Sequence, residues 1–198
     1  MNLAGLILCG GASRRMGTAK ALLDFRGQTF LDRLIGLLGA CCDSVTVVLG
    51  HEPDTVLAGI RRAPEARFVV NAQYESGQLS SLQCGLRAMG SADAVMFTPV
   101  DHPAVEESTA AALAAAIRGE PDELLLFVPR FQGKRGHPVG IRSTLLAEFL
   151  ALGPGASARE VIHRHRGETR YVDVPDRGIL WDVDDPEAYR LLRAEHAP

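Results

Sequence analysis

Residues 3–9, Leu-Ala-Gly-Leu-Ile-Leu-Cys, carry no polar side chain. A strand with no polar face is buried on both sides, which is the habit of a parallel sheet covered by helices on each face. Comparable short apolar runs recur at 44–49, 67–70, 94–98 and 124–128. Helical spacing fills the intervals at 29–38, 55–62, 80–89 and 108–118. Ser108 and Thr109 open the last of these, ahead of an alanine-rich stretch. Such alternation predicts an α/β fold, a Rossmann-like three-layer sandwich with a mostly parallel sheet. Ligands of these sheets sit beyond the carboxyl ends of the strands, so the segments after Cys9 and Thr98 become the places to look for chemistry.

The first of those segments is Gly10-Gly11-Ala12-Ser13-Arg14-Arg15-Met16-Gly17-Thr18-Ala19-Lys20. Glycines let main-chain N–H groups approach anionic oxygens, while Arg and Lys bring full positive charge. Polyphosphate is the ligand that needs both. A Walker A loop is excluded because Thr18-Ala19 separates Gly17 from Lys20, and the dinucleotide fingerprint is excluded because Gly10-Gly11 lacks the G-x-G-x-x-G spacing. The competing reading is a solvated turn with basic side chains.

After residues 94–98, Pro99-Val100-Asp101-His102-Pro103 places a carboxylate just past a strand end. Magnesium bridging phosphates uses one or two carboxylates and several waters, which suits Asp101; a turn aspartate is the alternative. His102 reads as a turn histidine without a metal role. Ser80 and Ser81 open the 80–89 helix, where hydroxyls either cap the helix or meet a ligand. Between 129 and 140 the pattern changes to a basic, glycine-containing stretch read as a projecting hairpin or lid, with Lys134 and Arg135 as candidate anion contacts. Helices are predicted at 143–150 and 157–166, a strand at 169–174, and a closing helix after Trp181-Asp182-Val183-Asp184-Asp185-Pro186. Asp185 reads as its cap, with Pro186 in its first turn. Asp182 lacks that explanation and is a candidate second carboxylate for a metal.

Size and charge narrow the class. The 198 residues are read as one domain, and 46% apolar with 23% charged residues matches a soluble globular chain. A net charge of −3 gives no general attraction to nucleic acid or membrane. No apolar run approaches the ~20 residues of a membrane span, and no signal peptide is evident, so a cytoplasmic location is expected. The four cysteines, Cys9, Cys41, Cys42 and Cys84, lack zinc-ligand spacing and read as packing residues.

Taken in order, L-x-G-G-x-S-x-R-M-G-x-x-K, A-L-L-D-F-x-G-x-T-F-L, S-S-L-Q-C-G-L, P-V-D-H-P, G-K-R-G-H-P-V and W-D-V-D-D-P-E-A-Y resemble the MobA-like nucleotidyltransferases over nearly the whole chain. The resemblance implies the nucleotide-diphospho-sugar transferase type of fold and a nucleoside triphosphate bound by Leu8, Cys9, Gly10, Gly11, Ser13, Arg15, Lys20, Asn71 and Ser81. It further implies Mg2+ on Asp101 and Asp182, catalysis by Arg15, Lys20 and Asp101, and a phosphate-bearing acceptor of molybdopterin type near Lys134, Arg135 and His137. A molybdoenzyme or cofactor-delivery protein is the implied partner. Ser81 and the G-H-P segment are similar to the cytidylyl branch, making CTP the expected donor. Gly11, by contrast, is similar to the guanylyl branch, which leaves GTP as the alternative. A sugar- or polyol-phosphate nucleotidyltransferase is another alternative, and a non-catalytic nucleotide or cofactor carrier is the one outside enzymology.

Overall fold

The computed structural model describes residues 1–196. In chain order its elements are β1 (Leu3–Cys9), β2 (Asp24–Phe25), β3 (Gln28–Thr29), α1 (Phe30–Gly39), β4 (Ser44–Leu49), α2 (Pro53–Gly59), β5 (Arg67–Val70), α3 (Gln78–Ala88), β6 (Ala94–Pro99) and α4 (Glu107–Gly119). They continue with β7 (Leu126–Phe131), β8 (Lys134–Arg135), β9 (Val139–Arg142), α5 (Leu146–Ala151), α6 (Ala158–Arg164), β10 (Thr169–Asp173) and α7 (Pro186–Glu195). The main sheet runs β10-β7-β9-β6-β1-β4-β5, with β8 paired to β7.

β1 pairs in parallel with both β4 and β6, and all seven of its residues are buried. Its side chains alternate between two cores, as the strand period requires. Leu3, Ile7 and Cys9 join α1 and α4 on one face. Ala4, Leu6 and Leu8 join Leu82 and Leu86 of α3, Phe149 of α5 and Val161 of α6 on the other. The expected three layers are therefore present. Caps agree with the residue types that supply them: Thr29 accepts from Asp32 N, Asp185 accepts from Ala188 N, and Ser157 forms a reciprocal capping box with Glu160.

The sheet departs from expectation at β9, which runs antiparallel between β6 and β7. The basic stretch read as a lid over 129–140 is a short hairpin followed at once by this buried central strand. Gln132 and Gly133 turn the hairpin with positive φ values of 47° and 79°, the pairing that a tight two-residue turn between twisted strands requires. β9 escapes a search for apolar runs because it is only Val-Gly-Ile-Arg. Gly140 makes room for Ile117 of α4, and Arg142 is buried, its Nη2 donating to Glu120 O at 2.8 Å and its guanidinium lying over the Phe127 ring. No helix among the described residues is long and apolar enough to cross a membrane.

Candidate active site

The loop after β1 closes on itself. Ser13, at φ 48°, accepts from Lys20 N through its Oγ at 3.1 Å and from Met16 N through its carbonyl at 2.9 Å. This bracket sends Lys20 back across the sheet edge toward the end of β6. There Lys20 Nζ donates to Asp101 Oδ2 at 3.3 Å and to Asp184 Oδ1 at 2.6 Å, and Arg15 Nη2 donates to Asp184 Oδ2 at 2.8 Å. The two cations hold the Asp184 carboxyl below the usual carboxylate range, chiefly through the Lys20 hydrogen bond.

Asp184 did not stand out in the sequence, although the signal was present. In Asp182-Val183-Asp184 the central valine is fully buried and its N–H donates to Asp101 O at 3.0 Å. Alternation about a buried residue in an extended segment turns both aspartates the same way. Asp182 joins Asp101 and His102 in a cluster whose donor atoms, one per residue, all lie within 4.8 Å of one another. Burial, with the neighbouring charges of Asp101 and Asp184, pushes the Asp182 carboxyl up to about 6.

Two cavities meet here. The smaller, about 300 Å³, is bordered by Gly10, Gly11, Ser13, Arg14, Arg15 and Lys20 of the loop, by Tyr74, Gln78 and Ser81, and by Asp101 and Asp184. The larger, about 810 Å³, lies between α3, the β7–β8 hairpin, α6 and β10. Leu8, Gly77, Gln78, Pro99 and Asp101 border both. Among the acidic side chains, Asp101 is thus the one common to the two spaces.

Most of the residues expected at the site gather in these walls, with three refinements. Asn71 is a support: its Nδ2 donates to Ser80 Oγ at 2.9 Å and Ser81 Oγ at 3.1 Å, tying the end of β5 to the start of α3. Cys9 turns its side chain into the core beneath the loop, where burial foremost, with Asp101, pushes the thiol up to about 12; it is no nucleophile. Lys134 is exposed on the hairpin and does not border the larger cavity, whereas Arg135, His137, Arg159, His163 and Tyr171 do. Arg159 and His163 come from α6 and carried no motif in the sequence.

His102 and His137 lie against each other in the wall of the larger cavity, with ring centroids 4.6 Å apart and planes tilted by 48°, and the Nδ1 atom of each is buried without a hydrogen-bond partner. Burial is the main reason that both imidazoles are held neutral. His102 drops to about 4, with Lys20 adding to the effect, and His137 to about 3, with His102 adding. Gly136, just before, allows the hairpin to close on the site: a Cβ there would collide with Ile179 O.

A family model described as the MobA-like NTP transferase domain matches residues 5–169. The chain belongs to this family. It is thereby a nucleotidyltransferase by type, and its architecture is that of the nucleotide-diphospho-sugar transferase type. It is 32% identical over 202 residues to a molybdenum cofactor guanylyltransferase of Cereibacter sphaeroides, covering 98% of this chain and 96% of that one. It is also 32% identical over 200 residues to the nicotine blue oxidoreductase of Paenarthrobacter nicotinovorans, with 96% of each covered. Among solved structures, Rv0371c of Mycobacterium tuberculosis H37Rv superposes with a TM-score of 0.84 at 26% identity, with 96% of each chain covered. One scaffold thus carries relatives named for group transfer and for redox chemistry.

Proposed function

We propose that this nucleotidyltransferase moves a nucleoside monophosphate from a nucleoside triphosphate to a phosphate-bearing acceptor of molybdopterin type, releasing pyrophosphate. The observation that carries the reading is the position of Asp101, a carboxylate shared by two cavities and grouped with Asp182. Transfer between two anions needs their reacting atoms to meet beside such a group. Hydride transfer, the reaction of a nicotinamide-dependent oxidoreductase, has no comparable use for clustered carboxylates. In this reading the triphosphate lies over the β1 loop and the acceptor occupies the larger cavity, its phosphate met by Arg135 and Arg159. An acceptor phosphate oxygen forms the new bond to the α-phosphorus while the bond to the pyrophosphate oxygen breaks.

The donor set of Asp101, His102 and Asp182 suits a divalent cation, for which Mg2+ is the expectation from the family resemblance. When bound, the ion supplies charge neutralisation at the reacting phosphates. The chain's own residues do the remaining work. Lys20 and Arg15, both hydrogen-bonded to Asp184, carry the positive charge available to the leaving pyrophosphate. The backbone of residues 10–13 positions the phosphates. The nucleotide-bearing product is the form passed to a molybdoenzyme or delivery protein.

For the base we favour GTP, because the relative named above is a guanylyltransferase and because Gly10 leaves the wall beside α3 without a side chain. A Cβ at residue 10 would lie 2.6 Å from Ser81 Oγ, so Gly10 and Ser81 form a coupled pair. CTP is the second reading, and the buried Ser81 hydroxyl in that wall favours it. Pyrophosphate release should be measured with each of the four nucleoside triphosphates and a molybdopterin acceptor, alongside thermal protection by each nucleotide. GTP should give the largest value in both. A CTP preference reverses the base assignment, and the absence of pyrophosphate with every nucleotide sinks the transfer reaction.

A further inference from the structure

His102 is adjacent to Asp101 in sequence, and the fold makes that adjacency chemical. Val100 N donates to Leu8 O at 3.0 Å and Val183 N donates to Asp101 O at 3.0 Å, so the segments that bear Asp101, His102 and Asp182 are fastened to β1 and to each other. Asp101 divides its oxygens between two neighbours. Oδ2 faces Lys20 Nζ at 3.3 Å, and Oδ1 faces His102 Nε2 at 3.9 Å. The second distance is too long for a hydrogen bond. With bonds of about 2.0–2.2 Å from imidazole nitrogen and carboxylate oxygen, two donors on one ion lie about 3 Å apart when adjacent and about 4.2 Å when opposite, so a side-chain shift of under about 1 Å brings this pair to an adjacent spacing. Asp182 lies within 4.8 Å of both and needs only a small side-chain adjustment to join them. His102 itself is 9% exposed, and the His137 ring packed against it at 4.6 Å limits its rotation.

We infer that His102 is a ligand of the catalytic metal ion, making a mixed site of two carboxylates and one imidazole that takes Mn2+ in preference to Mg2+. Mg2+ favours oxygen donors and retains its waters, whereas a nitrogen donor favours the first-row transition ions. The inference deepens the nucleotidyl-transfer reading, on which its relevance to turnover rests. It can nevertheless be tested by metal binding alone, with no nucleotide or acceptor present.

The experiment uses the full chain stripped with EDTA and loaded with Mn2+. Electron spin-echo modulation should show a directly bound ¹⁴N, and growth with ¹⁵N-histidine should replace it by the ¹⁵N pattern, which requires no variant to fold. Mn2+ should bind about tenfold or more tightly than Mg2+ in competition, and His102→Gln should remove the nitrogen signal and weaken Mn2+ about tenfold while moving Mg2+ far less. Absence of the nitrogen modulation in the unaltered protein overturns the inference. So does its persistence in His102→Gln, which would assign it to another histidine, or an equal loss of Mn2+ and Mg2+ affinity. Failure of the metal experiment with intact pyrophosphate release would discard His102 and keep the transfer reaction; the reverse result would do the opposite.

Discussion

The two cavities that share Asp101 are made in different ways. The smaller takes six of its fifteen lining residues from one segment, residues 10–20, bracketed by Ser13 and facing the start of α3. The larger draws one to four residues each from β7, β8, β9, α3, α6, β10 and the helical turn Arg177–Leu180. A wall made from neighbours in sequence is fixed by local backbone rules, among them glycines and a hydroxyl that accepts a nearby N–H. A wall gathered from distant segments is fixed by topology, here by the antiparallel insertion of β9. The relatives of this chain include both a protein named a guanylyltransferase and one named an oxidoreductase.

The comparison fails if the shared carboxylate does not matter, so Asp101→Ala has the largest expected effect. Turnover should fall by about 10²–10³-fold, measured as pyrophosphate release at saturating substrates. The fold should persist, because Lys20 retains its shorter contact to Asp184, and the thermal midpoint reports on that. Activity close to that of the unaltered protein would remove Asp101 from the chemistry.

Independent walls should fail independently. Arg15→Ala should lower kcat/KM for the nucleoside triphosphate about tenfold and leave KM for the acceptor unchanged, as expected for loss of a charge-assisted contact to the triphosphate and its leaving group. Arg159→Ala should do the reverse. A variant that moved both constants together would mean that the two cavities act as one site.

The same contrast explains what could be read in advance. The parallel core strands, the cap at Asp185 and the cluster of Gly10, Ser13, Arg15 and Lys20 follow from short-range patterns, and the structure brings them together, whereas α4 starts at Glu107 with Glu106 in the cap position, ahead of the expected Ser108 and Thr109. Asp184 was legible only through the alternation about Val183, which had no weight until Val183 was known to be buried. β9 was hidden because its burial depends on Gly140 accepting Ile117 and on carbonyls that satisfy Arg142, both supplied from far along the chain. His102 reads as a turn residue because Asp182, which the fold brings near it, lies eighty residues away. Arg159 and His163 sit on an exposed helix whose sequence marks a cap and little else.

The smallest expected effect concerns stability, and it too separates the walls. His102 and His137, in the wall of the larger cavity, have folded-state pKa values of about 4 and about 3 against an ordinary 6.5. Above pH 6.5 both are neutral folded or unfolded and contribute no pH dependence. As pH falls below 6.5 the unfolded chain takes up protons that the folded chain refuses, so stability declines toward pH 4. Asp182 acts in the opposite direction: its raised value of about 6 lets the folded state bind a proton before the unfolded chain does, between pH 6 and 3.8. Asp184, held low by Lys20 and Arg15 beside the smaller cavity, loses its stabilising charge only at lower pH, as its folded-state value is crossed. His137→Asn should therefore flatten the decline of the thermal midpoint between pH 6.5 and 4 by a few degrees, equivalent to about 1–2 kcal/mol. Asp182→Asn should steepen it. An unaltered slope in His137→Asn would mean that the buried imidazole pair opens to water before the protein unfolds.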